Sequence, residues 1–220
     1  MATPAESEPA RDHKALNYPT PPKSPSASKS EFPELPNNAR KRNSHIFARA
    51  RNDLYVERPW CSERLFAVEE FPGTIWDCCC GTGTIIRSAR AAGLGAYGTD
   101  ISDGCDFLSI EPVQDPPVFS IVTNPPFANT PKIVEHALAL GAVKIAIFFP
   151  TASVHAAWRW LKPLPFAKEY RLTPRPSAPP PTAEKVGGGM KDFSWLVLDR
   201  RHQGSTIVDW LHRDGGKSNA

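Results

Sequence analysis

Between Thr74 and Pro150 the chain alternates two kinds of segment, and this alternation restricts the fold more than any other feature. Short apolar runs at Thr74–Asp77, at Tyr97–Asp100, in VFSIVTN and in KIAIFFP have the length and the β-branched or aromatic content of strands. The last two are continuous enough to be buried on both faces. Between the runs lie segments with helical spacing: Thr84–Ala92, closed by Gly93 as C-cap, and TPKIVEHALALGAV, with Thr130 as N-cap and Pro131 at the first helical position. Strands joined in succession through helices run parallel, and the helices cover the faces of the sheet. The expected fold class is therefore α/β, a doubly wound, mostly parallel sheet. After Pro150 a helix at Ser153–Leu161, a Pro/Gly-rich basic loop over 162–191 and two strands, FSWLVLD and STIVDWL, complete it. Upstream, SHIFARARNDLYVERPWCSERLFAVEEF is expected to hold one or two short helices broken at Pro59.

Nothing of this pattern precedes residue 43. Residues 1–42 are rich in Pro, Ser, Ala, Lys and Glu and have no hydrophobic period, so they bury too little apolar surface to offset their ordering entropy. The expected organisation is a disordered tail at 1–42, one domain at 43–214 and a flexible end at 215–220. The run Arg40-Lys41-Arg42 reads as a solvated charge cluster, with phosphate contact or a nuclear address as alternatives. A net charge of +3 permits a polyanionic partner without requiring one. No apolar run reaches the length that spans a bilayer, and the first residues lack the apolar centre of a signal peptide. Five cysteines, three of them consecutive, do not form a secreted disulfide pattern. A soluble, cytoplasmic protein in a reducing setting, with no membrane partner, is expected.

The first strand runs into Asp77-Cys78-Cys79-Cys80-Gly81-Thr82-Gly83 and then into a helix. Glycines in such a turn let backbone approach a ligand, and an acid at the strand end faces the crevice where open α/β sheets bind. The third glycine of a dinucleotide fingerprint is missing, and no Gly-Lys-Ser/Thr follows as in a phosphate loop. Asp100 closes the second strand 17 residues beyond Gly83, where a carboxylate can accept the hydroxyls of a ribose. An adenosine-bearing ligand without a pyrophosphate fits, and S-adenosyl-L-methionine is the candidate; the plain alternative is a tight strand-to-helix turn. Cys78, Cys79 and Cys80 point to alternate faces and have no His nearby, so they read as packing residues and no metal site is expected.

The third strand ends at Asn124-Pro125-Pro126-Phe127, where two prolines stop the ladder. A turn alone can account for that. With the Asp-Gly loop, the downstream acid and Asn-Pro-Pro-Phe in this order, however, the chain resembles class I S-adenosylmethionine-dependent methyltransferases over about Leu54 to Asp214. Among them it is most similar to the small adenine-N6 amino-methyltransferases of phages and bacteria, whose tail TPRPS…GGGMKDFSWLVLDR followed by TIVDWL also resembles. The resemblance implies a Rossmann-like sheet with an antiparallel C-terminal strand. It implies that Asp77, Gly81 and Gly83 hold the methionine end of the cofactor, that Asp100 binds the ribose, and that Asp106 and Phe107 lie against the adenine ring. Pro59 falls where the family often has a Thr-Pro step at the methionine group, with Arg58 a departure, and Cys78 replaces a more usual proline.

An exocyclic amine is a poor nucleophile because its lone pair is delocalised into the base. If the Asn124 side-chain oxygen and the Pro125 carbonyl accept its two N–H groups, the nitrogen can pyramidalise toward the methyl donor, with positioning and dipoles supplying the catalysis. Pro126 stiffens the turn, and Phe127 would stack on a base flipped out of the duplex. Cytosine-C5 chemistry is disfavoured, since no Pro-Cys pair supplies its nucleophile. Asn-Pro-Pro-Phe is shared by enzymes acting on DNA adenine, ribosomal RNA bases and release-factor glutamine. DNA is the first expectation as partner, then RNA, then protein, with an inactive binding subunit as the non-enzymatic reading. In the loop 162–191, Lys162, Lys168, Arg171, Arg175, Lys185 and Lys191 interleave with Phe166 and Tyr170, either to track a nucleic-acid backbone or as a solvated connection.

Overall fold

Among residues 56–176 and 191–215, which the computed structural model describes, the chain forms α1 (Pro59–Val68), β1 (Thr74–Asp77), α2 (Thr84–Ala91), β2 (Ala96–Gly98), β3 (Phe119–Thr123), α3 (Thr130–Ala139), β4 (Lys144–Pro150), α4 (Thr151–Leu161), β5 (Phe166–Thr173), β6 (Phe193–Asp199) and β7 (Ile207–His212). The seven strands make one sheet in the order β2-β1-β3-β4-β6-β5-β7. β2, β1, β3 and β4 are mutually parallel, β6 is antiparallel to both its neighbours, and β7 is parallel to β5. The expected mostly parallel α/β sheet is present, and β6 is its antiparallel strand. The last strand, β7, runs with the parallel set.

The buried strands show why continuous apolar runs were needed. Along β4, Ile145, Ile147 and Phe149 point into one core with Ile133, Val134 and Ala137 of α3 and Leu161 of α4. Ala146 and Phe148 point into a second core with Leu65 of α1 and Ile85 and Ala89 of α2. Alternation thus sends every second side chain to each helical layer, and both layers are apolar. The chain passes from β1 outward to β2 and then back across β1 to β3. That reversal opens a crevice at the C-terminal ends of β1 and β3, the place where doubly wound sheets bind ligands. Asp77 and Asn124 stand at those two ends.

The opposite end of the sheet is closed by charge. Lys144 at the start of β4 is buried and reaches Glu69 at 2.7 Å and Asp199 at 3.2 Å, and Lys168 and Tyr170 also meet Glu69, at 2.8 and 2.7 Å. Burial alone would raise the Glu69 carboxyl, but these three donors outweigh it and hold it below its ordinary value.

Five expectations need correcting. Pro59 does not break a helix; it opens α1 in its first turn, where the missing N–H costs nothing. β2 ends at Gly98, so Asp100 lies past the strand as the cap of a 3-10 turn, Ile101–Asp103. α4 begins at Thr151, two residues before Ser153, and Asn129 rather than Thr130 caps α3. Finally, residues 166–173 of the expected loop are strand β5, in which Lys168 pairs with Glu69 and Arg171 with Glu169. Charges at successive positions hid the strand, and their pairing is what lets it be buried. Tyr170 is a core residue, so Lys168, Arg171, Phe166 and Tyr170 do not form one basic-aromatic surface. Residues 1–42, the expected tail, and Lys185 lie outside the described residues.

Candidate active site

At the end of β1 the backbone turns through Gly81 (φ 45°) and Gly83 (φ 76°), and Gly83 caps α2 in the left-handed conformation that favours glycine. The turn is tied to β2's extension: the Cys80 N–H donates to the Thr99 carbonyl at 3.0 Å, and the Thr99 N–H donates to the Asp77 carbonyl at 2.9 Å. Asp100 binds the loop directly, since its Oδ2 accepts from the Gly81 N–H at 2.9 Å and its Oδ1 from the Ser102 N–H at 2.9 Å. Burial raises Asp100, but these donors outweigh it and hold its carboxyl below the ordinary value, so it is ionised. A carboxylate offers about four acceptor positions, so each oxygen retains acceptor capacity for a ribose hydroxyl.

Gly98 makes this arrangement possible at close quarters. A Cβ there would stand 2.6 Å from the Cys80 Cβ and 2.3 Å from the end of Ile86. Ile86 can rotate away, but Cys80 is part of the loop. Gly98→Ala is expected to destabilise the protein by about 1–3 kcal/mol and to displace the loop, read as a lower melting temperature.

Asp77 is 1% exposed, its Oδ1 accepting from the Cys79 N–H at 3.3 Å. Burial, aided by the negative charges of Glu57 and Asp100, pushes its carboxyl up to about 7. The same field reaches Cys80, whose thiol is pushed up to about 11 by burial and then by Asp77, Asp100 and Asp103. This corner of the crevice is built to receive positive charge.

Asn124 follows β3, and its Nδ2 donates to Glu57 Oε2 at 2.7 Å. Glu57, 6% exposed, is held just before α1, and burial raises its carboxyl despite the Asn124 bond. Pro125 is buried and Pro126 exposed. The Pro126 carbonyl accepts from the Asn129 N–H at 2.9 Å to close the 3-10 turn Phe127–Asn129. Phe127 is half-buried, edge-on to Phe149 at 6.1 Å and tilted against Phe193 at 6.2 Å.

The crevice therefore brings together Asp77, Gly81, Gly83, Asp100 and Asn124 with its two prolines and Phe127. Asp106 caps a second 3-10 turn, its Oδ1 accepting from the Leu108 N–H at 3.0 Å. The Phe107 ring is 4% exposed, edge-on to Trp76 and to His136, so its side chain belongs to the core. Pro59 is exposed at the start of α1. The acid the sequence reading missed is Glu57; its signal was its place directly before Arg58-Pro59, a step already assigned to the methionine group. The cysteines are free thiols, Cys78 buried and Cys79 and Cys80 partly so, and no group of metal ligands exists among the described residues. No helix among them is long and apolar enough to cross a membrane.

No family model matches the chain, and no curated protein matches it. Among solved structures it is similar to a predicted O-methyltransferase from Agrobacterium tumefaciens, at 12% identity and TM-score 0.41, over 71% of this chain and 86% of that one. It is also similar to a proposed RNA methyltransferase from Pyrococcus horikoshii, at 14% identity and TM-score 0.39, over 64% of this chain and 81% of that one.

Proposed function

We propose that this protein is an S-adenosyl-L-methionine-dependent methyltransferase that modifies an exocyclic amino nitrogen, N6 of adenine in DNA. The observation that carries this reading is the juxtaposition of an oriented carboxamide, Asn124 on Glu57, with a buried acid corner at the same sheet edge. The residues fit the cofactor on their own chemistry. Asp77 is an acid whose ionisation awaits a cation, and the cofactor carries two, an ammonium and a sulfonium. Asp100 is an ionised acceptor at the loop, suited to a ribose. Gly81 and Gly83 keep the backbone between them open to close approach.

When bound, the cofactor supplies an electrophilic methyl group. The protein's part is to make the amine a nucleophile. The Asn124 carboxamide oxygen and the Pro125 carbonyl accept hydrogen bonds from the two amino N–H groups, which localises the nitrogen lone pair. Pro126 stiffens the turn, and Phe127, backed by Phe149 and Phe193, stacks on the flipped base. Adenine in DNA as the substrate follows the resemblance of the motif order.

Incubation with labelled cofactor and, separately, duplex DNA, single-stranded DNA, ribosomal RNA and release factor tests the reading. Label in DNA is the expected outcome. Label in ribosomal RNA or release factor alone would move the substrate, and label in none would overturn the function.

A further inference from the structure

Glu57 does not itself touch the reacting atoms, yet its position is specific. It is a nearly fully buried acid one hydrogen bond, 2.7 Å, from the side chain that has to meet the substrate amine. Burying a carboxyl there is costly, and a neutral side chain would avoid that cost. We infer that Glu57 is a positioning residue: its carboxylate accepts the Asn124 NH2 and so turns the carboxamide to present its oxygen, rather than its NH2, to the substrate amine. The inference rests on the methyl-transfer reading for its consequence in turnover, but not for the pairing itself.

The physical reason lies in the donor and acceptor inventory. An ionised carboxylate only accepts, so the face of Asn124 that meets it has to be Nδ2. A substrate amine brings two donors, and an amide turned the other way would oppose donor with donor. Protonation of Glu57 removes the discrimination, because its O–H could then donate to Oδ1 and the reversed amide becomes allowed. Burial moves this protonation upward from the ordinary 4.5, toward working pH. The charged and titratable groups around Glu57 are Asp77 at the end of β1, Arg87 on α2, and Arg58 and Cys61 at the start of α1. Arg87 favours the carboxylate, whereas Asp77 opposes it when ionised. A cation that neutralises Asp77 therefore also helps keep Glu57 charged.

The full chain without cofactor, labelled with nitrogen-15, tests the pairing. The Asn124 side-chain NH2 signals, assigned by their absence from Asn124→Ala, are expected to shift with pH at a point above the ordinary 4.5 of a glutamate. In Glu57→Gln that shift is expected to vanish. Turnover tests the consequence. Glu57→Gln is isosteric and neutral, so it is expected to melt no lower than wild type and yet to lose roughly 10- to 100-fold in kcat at saturating cofactor and DNA. A merely structural Glu57 would lower the melting temperature and leave kcat of the folded fraction intact. Glu57→Asp, which keeps the charge but shortens the reach, is expected to recover the pH-dependent shift in part. An Asn124 signal that titrates equally in Glu57→Gln, or an unchanged kcat in that variant, would overturn the inference. If wild type transfers methyl to no polymer while the Asn124 signals still follow Glu57, the function fails and the pairing stands.

Discussion

Asp77→Asn is expected to yield a more stable protein that binds S-adenosyl-L-methionine, the proposed cofactor, more weakly. The folded protein keeps a proton on Asp77 up to about 7, whereas the unfolded chain releases it near 3.8. Between those values the native state binds more protons than the unfolded state, so this residue's contribution to stability falls as pH rises through the window and stays lost above it. The loss is on the order of 4 kcal/mol at full ionisation, for a side chain that is almost wholly buried. Asparagine keeps an oxygen for the Cys79 N–H and never ionises. Thermal melts at about pH 8 should place Asp77→Asn higher by about ten degrees, and the gap should close near pH 4. Cofactor affinity, by calorimetry, should drop about 10- to 100-fold, the loss expected when a charged hydrogen-bonding partner is removed. In wild type the same linkage makes cofactor binding tighten as pH rises toward 7, approaching tenfold per unit below it. Equal melting temperatures at pH about 8 would show that Asp77 is not the strained acid described above.

Asn124→Ala is expected to have the complementary effect: near-normal cofactor binding and almost no turnover. Removing one preorganised acceptor from a reacting centre costs about 10²- to 10³-fold in kcat. Asn124 lies past the end of β3, whereas the cofactor loop is tied to β1 and Asp100, so the affinity for cofactor should change little. The substitution also leaves buried Glu57 without this hydrogen bond, at about 1–3 kcal/mol. A melt therefore has to accompany the rate, and the comparison is made where both proteins are folded. Turnover by Asn124→Ala at the wild-type rate would remove the amide from the mechanism.

Much of the fold was legible because buried parallel strands are written as uninterrupted apolar runs. β1, β3 and β4 fall within or beside the runs that announced them, and the Gly81–Gly83 turn and Asp100 sit where a doubly wound sheet places its ligand. β5 was missed for a physical reason. FAKEYRLT carries Lys168, Glu169 and Arg171 in sequence, which reads as a solvated loop until Glu69, brought from a distant part of the chain, supplies the countercharge. Pro59 reads as a breaker in the linear pattern, although the same ring is well suited to a helix's first turn. Phe107 illustrates the converse: an aromatic assigned to the ligand by family position packs edge-on to Trp76 and His136. The pairing of Glu57 with Asn124 is not legible in spacing, because the two lie 67 residues apart. Contacts between distant residues, charged ones above all, are what the linear pattern leaves out.

Methyl transfer to an amino nitrogen is tested most directly on the product. Adenine-containing duplex DNA is incubated with the protein and cofactor bearing a labelled methyl group, then digested to nucleosides and analysed by mass spectrometry. The predicted result is label in N6-methyladenine, present with wild type and lost with Asn124→Ala. Label confined to a carbon or oxygen atom of a nucleoside, or N6-methyladenine formed equally by Asn124→Ala, would contradict it.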